Sequence, residues 1–183
     1  MNKILLFCIL IFPLMASGQV YPFTGWGPKL MKPDIDKVTG DTIWKTSAGR
    51  IADQGSNRKP DILECQVIKK KGHIALFIFL TKGDNKPDLF SIKKGSRMIV
   101  KFTDSTNVAL RSATADTTVL DASQKNTVLC WGPYNLHPDE VPILENNMVA
   151  SIQIETSMGI FNYEVKEKSS KLIAKELALI AEK

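Results

Sequence analysis

Residues 62–81 read Ile62-Leu63-Glu64-Cys65-Gln66-Val67-Ile68-Lys69-Lys70-Lys71-Gly72-His73-Ile74-Ala75-Leu76-Phe77-Ile78-Phe79-Leu80-Thr81, and this stretch decides the fold. The part before the lysines alternates apolar and polar in places, as a half-buried strand does. Lys71-Gly72 supplies a tight turn. The run from Ile74 to Leu80 is apolar on both faces, which predicts an interior strand covered on both sides.

The same signals continue outward. Residues 98–103 and 108–112 flank the polar turn Asp104-Ser105-Thr106 and read as a hairpin. Residues 127–134, 149–156 and 160–165 give further strands, the last two separated by Met158-Gly159. Upstream, Thr42 to Thr46 alternates around Ile43 and Trp44 and runs towards Ile51. Residues 53–60 and 82–88 are loops by composition. His137-Pro138-Asp139-Glu140 opens a short helix, with proline in the first turn and acids where the helix dipole favours them. Ser169 or Ser170 is placed to cap a C-terminal helix through Ala181. Leu172, Ile173, Glu176, Leu177 and Ile180 fall at helical spacing along it. Short sequential strands with turn signals predict a mainly β chain, an antiparallel β-sandwich that is immunoglobulin-like only in a loose sense.

The N-terminus has its own logic. Lys3, an apolar run from Ile4 to Met15 and the small residues Ala16-Ser17-Gly18 follow the order of a secretory signal peptide over residues 1–18. The apolar run falls short of the roughly 20 residues a spanning helix needs. Cys8 lies inside it, which argues against lipid attachment. Residues 19–40, with Tyr21, Pro22, Phe23, Trp26, Pro28 and Pro33, read as an extended arm. Residues 41–183 then form one sandwich domain. The expected location is the periplasm or the exterior, with an envelope protein or a glycan as partner.

The net charge of +5 falls to +4 once Lys3 leaves. Lys69-Lys70-Lys71 and Lys93-Lys94, each followed by glycine, read as solvated turns. Scattered charge of this kind excludes a nucleic-acid reader. Of three cysteines, Cys65 and Cys130 remain after processing. In an oxidising compartment they are either a disulfide, contributing about 4 kcal/mol by loop closure, or two buried thiols. The immunoglobulin pattern is incomplete around them: Val128 stands where a tyrosine is expected, and Trp131 adjoins Cys130.

A resemblance rests on three stretches. They are Asp36-Lys37-Val38-Thr39-Gly40-Asp41; Ser91-Ile92-Lys93-Lys94-Gly95 ahead of a hairpin; and an ending with Tyr134-Asn135-Leu136, Gly159, Phe161, Glu164-Val165-Lys166 and an amphipathic helix. Together these resemble exported β-sandwich proteins of Gram-negative bacteria that carry no assigned activity. The resemblance implies a scaffold and brings no catalytic residues.

Candidate chemistry is sparse. Asp34-Ile35-Asp36-Lys37-Val38 matches the D-x-D-x-[TV] string of phosphotransferring aspartate enzymes, but no apolar strand precedes it, so a polar turn is expected. Asp84, Asn85 and Asp88 offer oxygens to calcium in a loop without the length or terminal glutamate of an EF-hand. His73 and His137, the latter with Glu140 three residues on, make a poor zinc set. G-x-S-x-G is absent. No motif asks for a cofactor, a metal or a catalytic residue. Trp44 and Trp131 sit in strands, where a core role is expected, whereas Tyr21, Phe23 and Trp26 in the arm are the candidate contacts for a partner or ligand. The reading is a non-enzymatic module acting through protein–protein contact, with a glycan-binding module and an undetected hydrolase as alternatives.

Overall fold

The computed structural model describes residues 27–56, 59–84, 88–114, 119–120 and 126–183. Among the described residues eleven strands form two antiparallel sheets. The larger sheet contains β1 (Asp34–Ile35), β2 (Thr42–Lys45), β3 (Gly49–Asp53), β4 (Asp61–Lys70), β5 (His73–Gly83), β8 (Val119–Leu120) and β9 (Thr127–Leu136). Its order is β1-β2-β4-β5-β9-β8, and β3 continues along the edge of β4 where β2 ends. The smaller sheet holds β6 (Arg97–Phe102), β7 (Asn107–Arg111), β10 (Val149–Thr156) and β11 (Gly159–Glu164), in the order β11-β10-β6-β7. Helix α1 (Glu140–Asn146), a 3-10 turn (Glu167–Ser169) and helix α2 (Leu172–Ala181) are the helical elements among the described residues.

The β4–β5 hairpin is the spine. Lys71 and Gly72 both take positive φ, 51° and 78°, the geometry of a two-residue turn whose twist matches the strands. Ten cross-strand pairs follow, from Lys70 opposite His73 to Asp61 opposite Lys82. Because side chains alternate, Leu63, Cys65 and Val67 face one way with Leu76, Ile78 and Leu80. Against them pack Met98, Val100, Leu110, Ile152, Ile154 and Tyr163 from the smaller sheet, and Ile173, Leu177 and Ile180 from α2. The other face of the hairpin carries a second buried cluster, Ile43, Ile68, Ala75 and Phe77, with Phe79 beside it. The doubly apolar run thus lies in the middle of its sheet with a cluster on each side.

Several expectations are corrected. From Lys29 onward the arm is bound into the sheet: Ser47 N–H donates to the Lys29 carbonyl at 2.8 Å, Met31 N–H donates to Lys45, and β1 pairs with β2. Neither Ser169 nor Ser170 caps α2; Ser170 Oγ donates to Glu167 O within the 3-10 turn, and the helix starts one residue after Lys171. Of the three lysines read as a solvated turn only Lys71 is exposed, while Lys70 is buried in an ion pair with Asp36. Cys65 and Cys130 are both buried thiols with no bridge between them. They share the inner face, but β5 stands between their strands, with Cys65 opposite Ile78 and Cys130 opposite Leu80. Two strand spacings place the Cα atoms on the order of 10 Å apart, beyond the roughly 7 Å a disulfide spans.

Candidate functional site

Strand β3 is where the edge of the sheet becomes a site. A bulge between Arg50 and Ala52 turns Ile51 and Ala52, two successive residues, into the core. Gly49, just before it, faces α2 so closely that a Cβ there would stand 2.9 Å from both terminal carbons of Leu172. Ser169 Oγ donates to the Arg50 carbonyl at 3.3 Å and ties the 3-10 turn to the same strand. Between β3 and the segment running from the 3-10 turn into α2 lies an open groove of about 600 Å³.

The groove is basic. Arg50, Lys166, Lys168 and Lys175 line it against the single carboxylate of Asp53. Arg50 is held in place, with Nη1 2.9 Å from Asp53 and Nε 3.7 Å from Glu64. Among the described residues, none of the three lysines makes an ion pair, so their charge is available to a ligand. Burial pushes the Glu64 carboxyl up, and the neighbouring Arg50 opposes that shift. Composition did not reveal this cluster because Arg50 is far from the lysines in sequence. The available signal was only that Lys166, Lys168 and Lys175 lie close together late in the chain, Lys168 in the 3-10 turn and Lys175 in α2.

Behind the groove wall sits a buried carboxyl. Glu176 is fully buried; Thr46 Oγ1 donates to its Oε2 at 3.1 Å and itself accepts the Val67 N–H at 2.9 Å. Burial pushes Glu176 up to about 8 against the pull of Thr46, Cys65 and Val67, so the group is uncharged at neutral pH. Burial and the adjoining Glu176 raise the Cys65 thiol well above its ordinary range, so it stays protonated and inert.

The other candidates are not brought together. Tyr21, Phe23, Trp26 and Asn85 lie outside the described residues. Asp34 pairs with Lys45, and Asp36 takes Lys70 together with two backbone N–H groups, so the D-x-D string is a structural turn. Asp84 pairs with Lys59 at 2.6 Å. His73 and His137 are exposed at the same end of β5 and β9, and neither lines this groove or the two smaller cavities. His137 Nδ1 lies 3.6 Å from Asp139, and its backbone N–H donates to Glu140, which spends that carboxylate on the turn. Among the described residues no group of three or more His, Cys, Asp or Glu is placed to hold a metal. Trp44 packs half-buried against the main core with Lys183 over its ring. Trp131 corrects the expectation for it: it belongs to neither core cluster and faces outward beside Phe79. Comparison with protein-family models, with curated proteins and with solved structures finds no match, so the meaning of the site rests on its geometry.

Proposed function

We propose that this chain is an exported, non-catalytic binding module that works by protein–protein contact, and that its groove takes an extended acidic segment of the partner. One observation carries the reading. The fold gathers four cations from two distant parts of the chain around a single carboxylate, with three of the cations unpaired among the described residues. Complementary charge of this kind steers encounter and selects the partner. Export is supported by the signal-like order of residues 1–18 and by the resemblance to exported sandwich proteins, and places the module in the periplasm or outside the cell. No described helix is long and apolar enough to cross a membrane.

Fluorescence anisotropy of a labelled Asp/Glu-rich decapeptide tests the reading. The wild-type chain is expected to bind it with an affinity that falls as salt rises, and the triple variant Lys166→Glu, Lys168→Glu, Lys175→Glu is expected to lose binding at least tenfold. A variant that binds as well as the wild type overturns the groove as the site. Binding of an acidic oligosaccharide with no binding of the peptide replaces the protein partner by a glycan.

A further inference from the structure

The basic groove has a counterpart at the other end of α2. Leu172 and Lys175, from the start of the helix, line the groove; Lys183, just past its end, lines a smaller cavity of about 260 Å³. The edge of the larger sheet follows the helix from one to the other. A Cβ on Gly49 would touch Leu172, Thr46 Oγ1 donates to Glu176, and Lys183 Nζ stands over the Trp44 ring. Chain and helix therefore run side by side in opposite directions. Two lengths agree on the separation of the cavities. The helical rise from Leu172 to Lys183 and the extended chain from Gly49 back to Trp44 each cover about 16 Å.

The small cavity differs from the groove in chemistry. Trp44 lines it, half-buried, with Lys69, Lys71, Lys183 and Asp41 around the indole. Asp41 takes the Lys71 ammonium at 3.1 Å. Among the described residues Lys69 and Lys183 make no ion pair. Lys69 Nζ lies 3.5 Å from the Ile180 carbonyl, and Lys183 Nζ lies 5.8 Å from the centre of the Trp44 ring. A ring face holds an exposed ammonium only weakly, so a carboxylate arriving here draws on both lysines. A flat side chain next to that carboxylate packs against the indole. The described lining of the groove offers charge without an aromatic ring, whereas this cavity offers both.

We propose that the Trp44 cavity is a second subsite for the same partner, taking an aromatic side chain beside a carboxylate about five residues beyond the acidic stretch in the groove. This rests on the reading of the groove as the seat of an extended acidic segment, and it adds a specificity to that reading. Acidity alone fills one end of α2; acidity joined to a ring at the right distance fills both. Two weak sites engaged by one segment select a partner that carries both features over one that carries either.

Anisotropy with three labelled peptides tests the subsite. They are the Asp/Glu-rich decapeptide and two extensions of it, with a Phe-Asp pair about five residues beyond the amino end or the carboxyl end. One extended peptide is expected to bind the wild-type chain at least about threefold tighter than the decapeptide. Trp44→Leu and Lys183→Glu are each expected to erase that gain and to leave decapeptide binding as it was. Lys183 is exposed, so its variant carries the test should Trp44→Leu fail to fold. Extended peptides that bind no tighter than the decapeptide overturn the subsite and leave the groove reading standing. A gain that survives Lys183→Glu overturns it as well, because the Phe-Asp pair then binds elsewhere. Failure of all three peptides to bind removes the groove reading and the subsite together. Quenching of tryptophan fluorescence by methyl glucuronide that vanishes in Trp44→Leu, with no gain from either extension, replaces the aromatic peptide by an acidic sugar and overturns the proposal.

Discussion

Two carboxylates in this molecule are almost completely removed from water and end in opposite charge states. Asp36, 3 % exposed, sits in the turn after β1; Glu176, 0 % exposed, sits under α2. Asp36 receives the Lys70 ammonium, with Val38 N–H donating at 2.8 Å and Thr39 N–H at 3.2 Å. Gly40, at φ 72°, closes the turn with its N–H on Asp36 O. These donors, Lys70 first, hold Asp36 well below the usual carboxylate range. Glu176 receives one hydroxyl, from Thr46, and lies against a neutral thiol, so burial dominates and its proton stays on. Depth alone does not set charge; the number and charge of the donors does. Asp36 holds the turn after β1 against the end of β4, and Glu176 seats the helix that forms a wall of the groove.

The sharpest way to break this comparison is to remove the cation from one side. Lys70→Met leaves Asp36 buried without its ammonium, and the urea midpoint is expected to drop by roughly 2 M, since stripping one partner from a buried pair is among the costliest surface-preserving changes. A shift under about 0.5 M would mean that the two backbone N–H groups suffice for Asp36.

Acid and base then separate the two sites. Asp36 titrates lower when folded than unfolded, so its stabilisation is present above its ordinary value of 3.8 and is lost as pH falls below it. Glu176 does the reverse. Between its ordinary 4.5 and about 8 the unfolded chain releases this proton while the folded chain keeps it, so stability declines as pH rises through that window. Over the whole window the loss is on the order of 5 kcal/mol. Glu176→Gln keeps the shape and removes the titration, so urea unfolding at pH 5.5 and 8.5 should differ far less in the variant than in the wild type. Equal slopes in the two proteins would mean that Glu176 ionises normally.

Local features were legible in the sequence, and features joining distant residues were not. The β4–β5 hairpin follows from its apolar runs and Lys71-Gly72, and the strands β6, β7, β9, β10 and β11 follow from period-two patterns around polar turns. The two-residue β8 carries too little pattern to be seen. Lys70 looked like part of a solvated turn because its partner is 34 residues away, and Glu176 looked like one polar interruption of an apolar stripe because Thr46 is 130 residues away. Face and burial were legible for both cysteines, but the choice between a bridge and two buried thiols turned on strand order, with β5 standing between their strands. The groove depends on β3 lying against the start of α2, and no spacing rule encodes that contact.

A smaller effect probes how tightly Glu176 is seated. Gly49→Ala introduces a Cβ 2.9 Å from the Leu172 terminal carbons and 3.0 Å from Glu176 Oε1. The helix must shift by a few tenths of an ångström, at a cost of about 1–2 kcal/mol. Thermal unfolding reads this, and pairing Gly49→Ala with Leu172→Ala should recover part of the loss if the clash with Leu172 is its source.

The smallest expected effect concerns the groove lysines, and it separates a binding cation from a structural one. Lys168 is exposed and unpaired among the described residues, whereas Lys70 is buried against a carboxylate. Lys168→Met should therefore change stability by no more than about 0.5 kcal/mol, the range of surface substitutions that break no cap, pair or packing contact. Its effect should appear in the peptide-binding measurement, with weaker binding and a shallower salt dependence at an unaltered urea midpoint. Should the midpoint instead fall as it does for Lys70→Met, the lysine holds the fold together and the groove loses a charge it was proposed to offer.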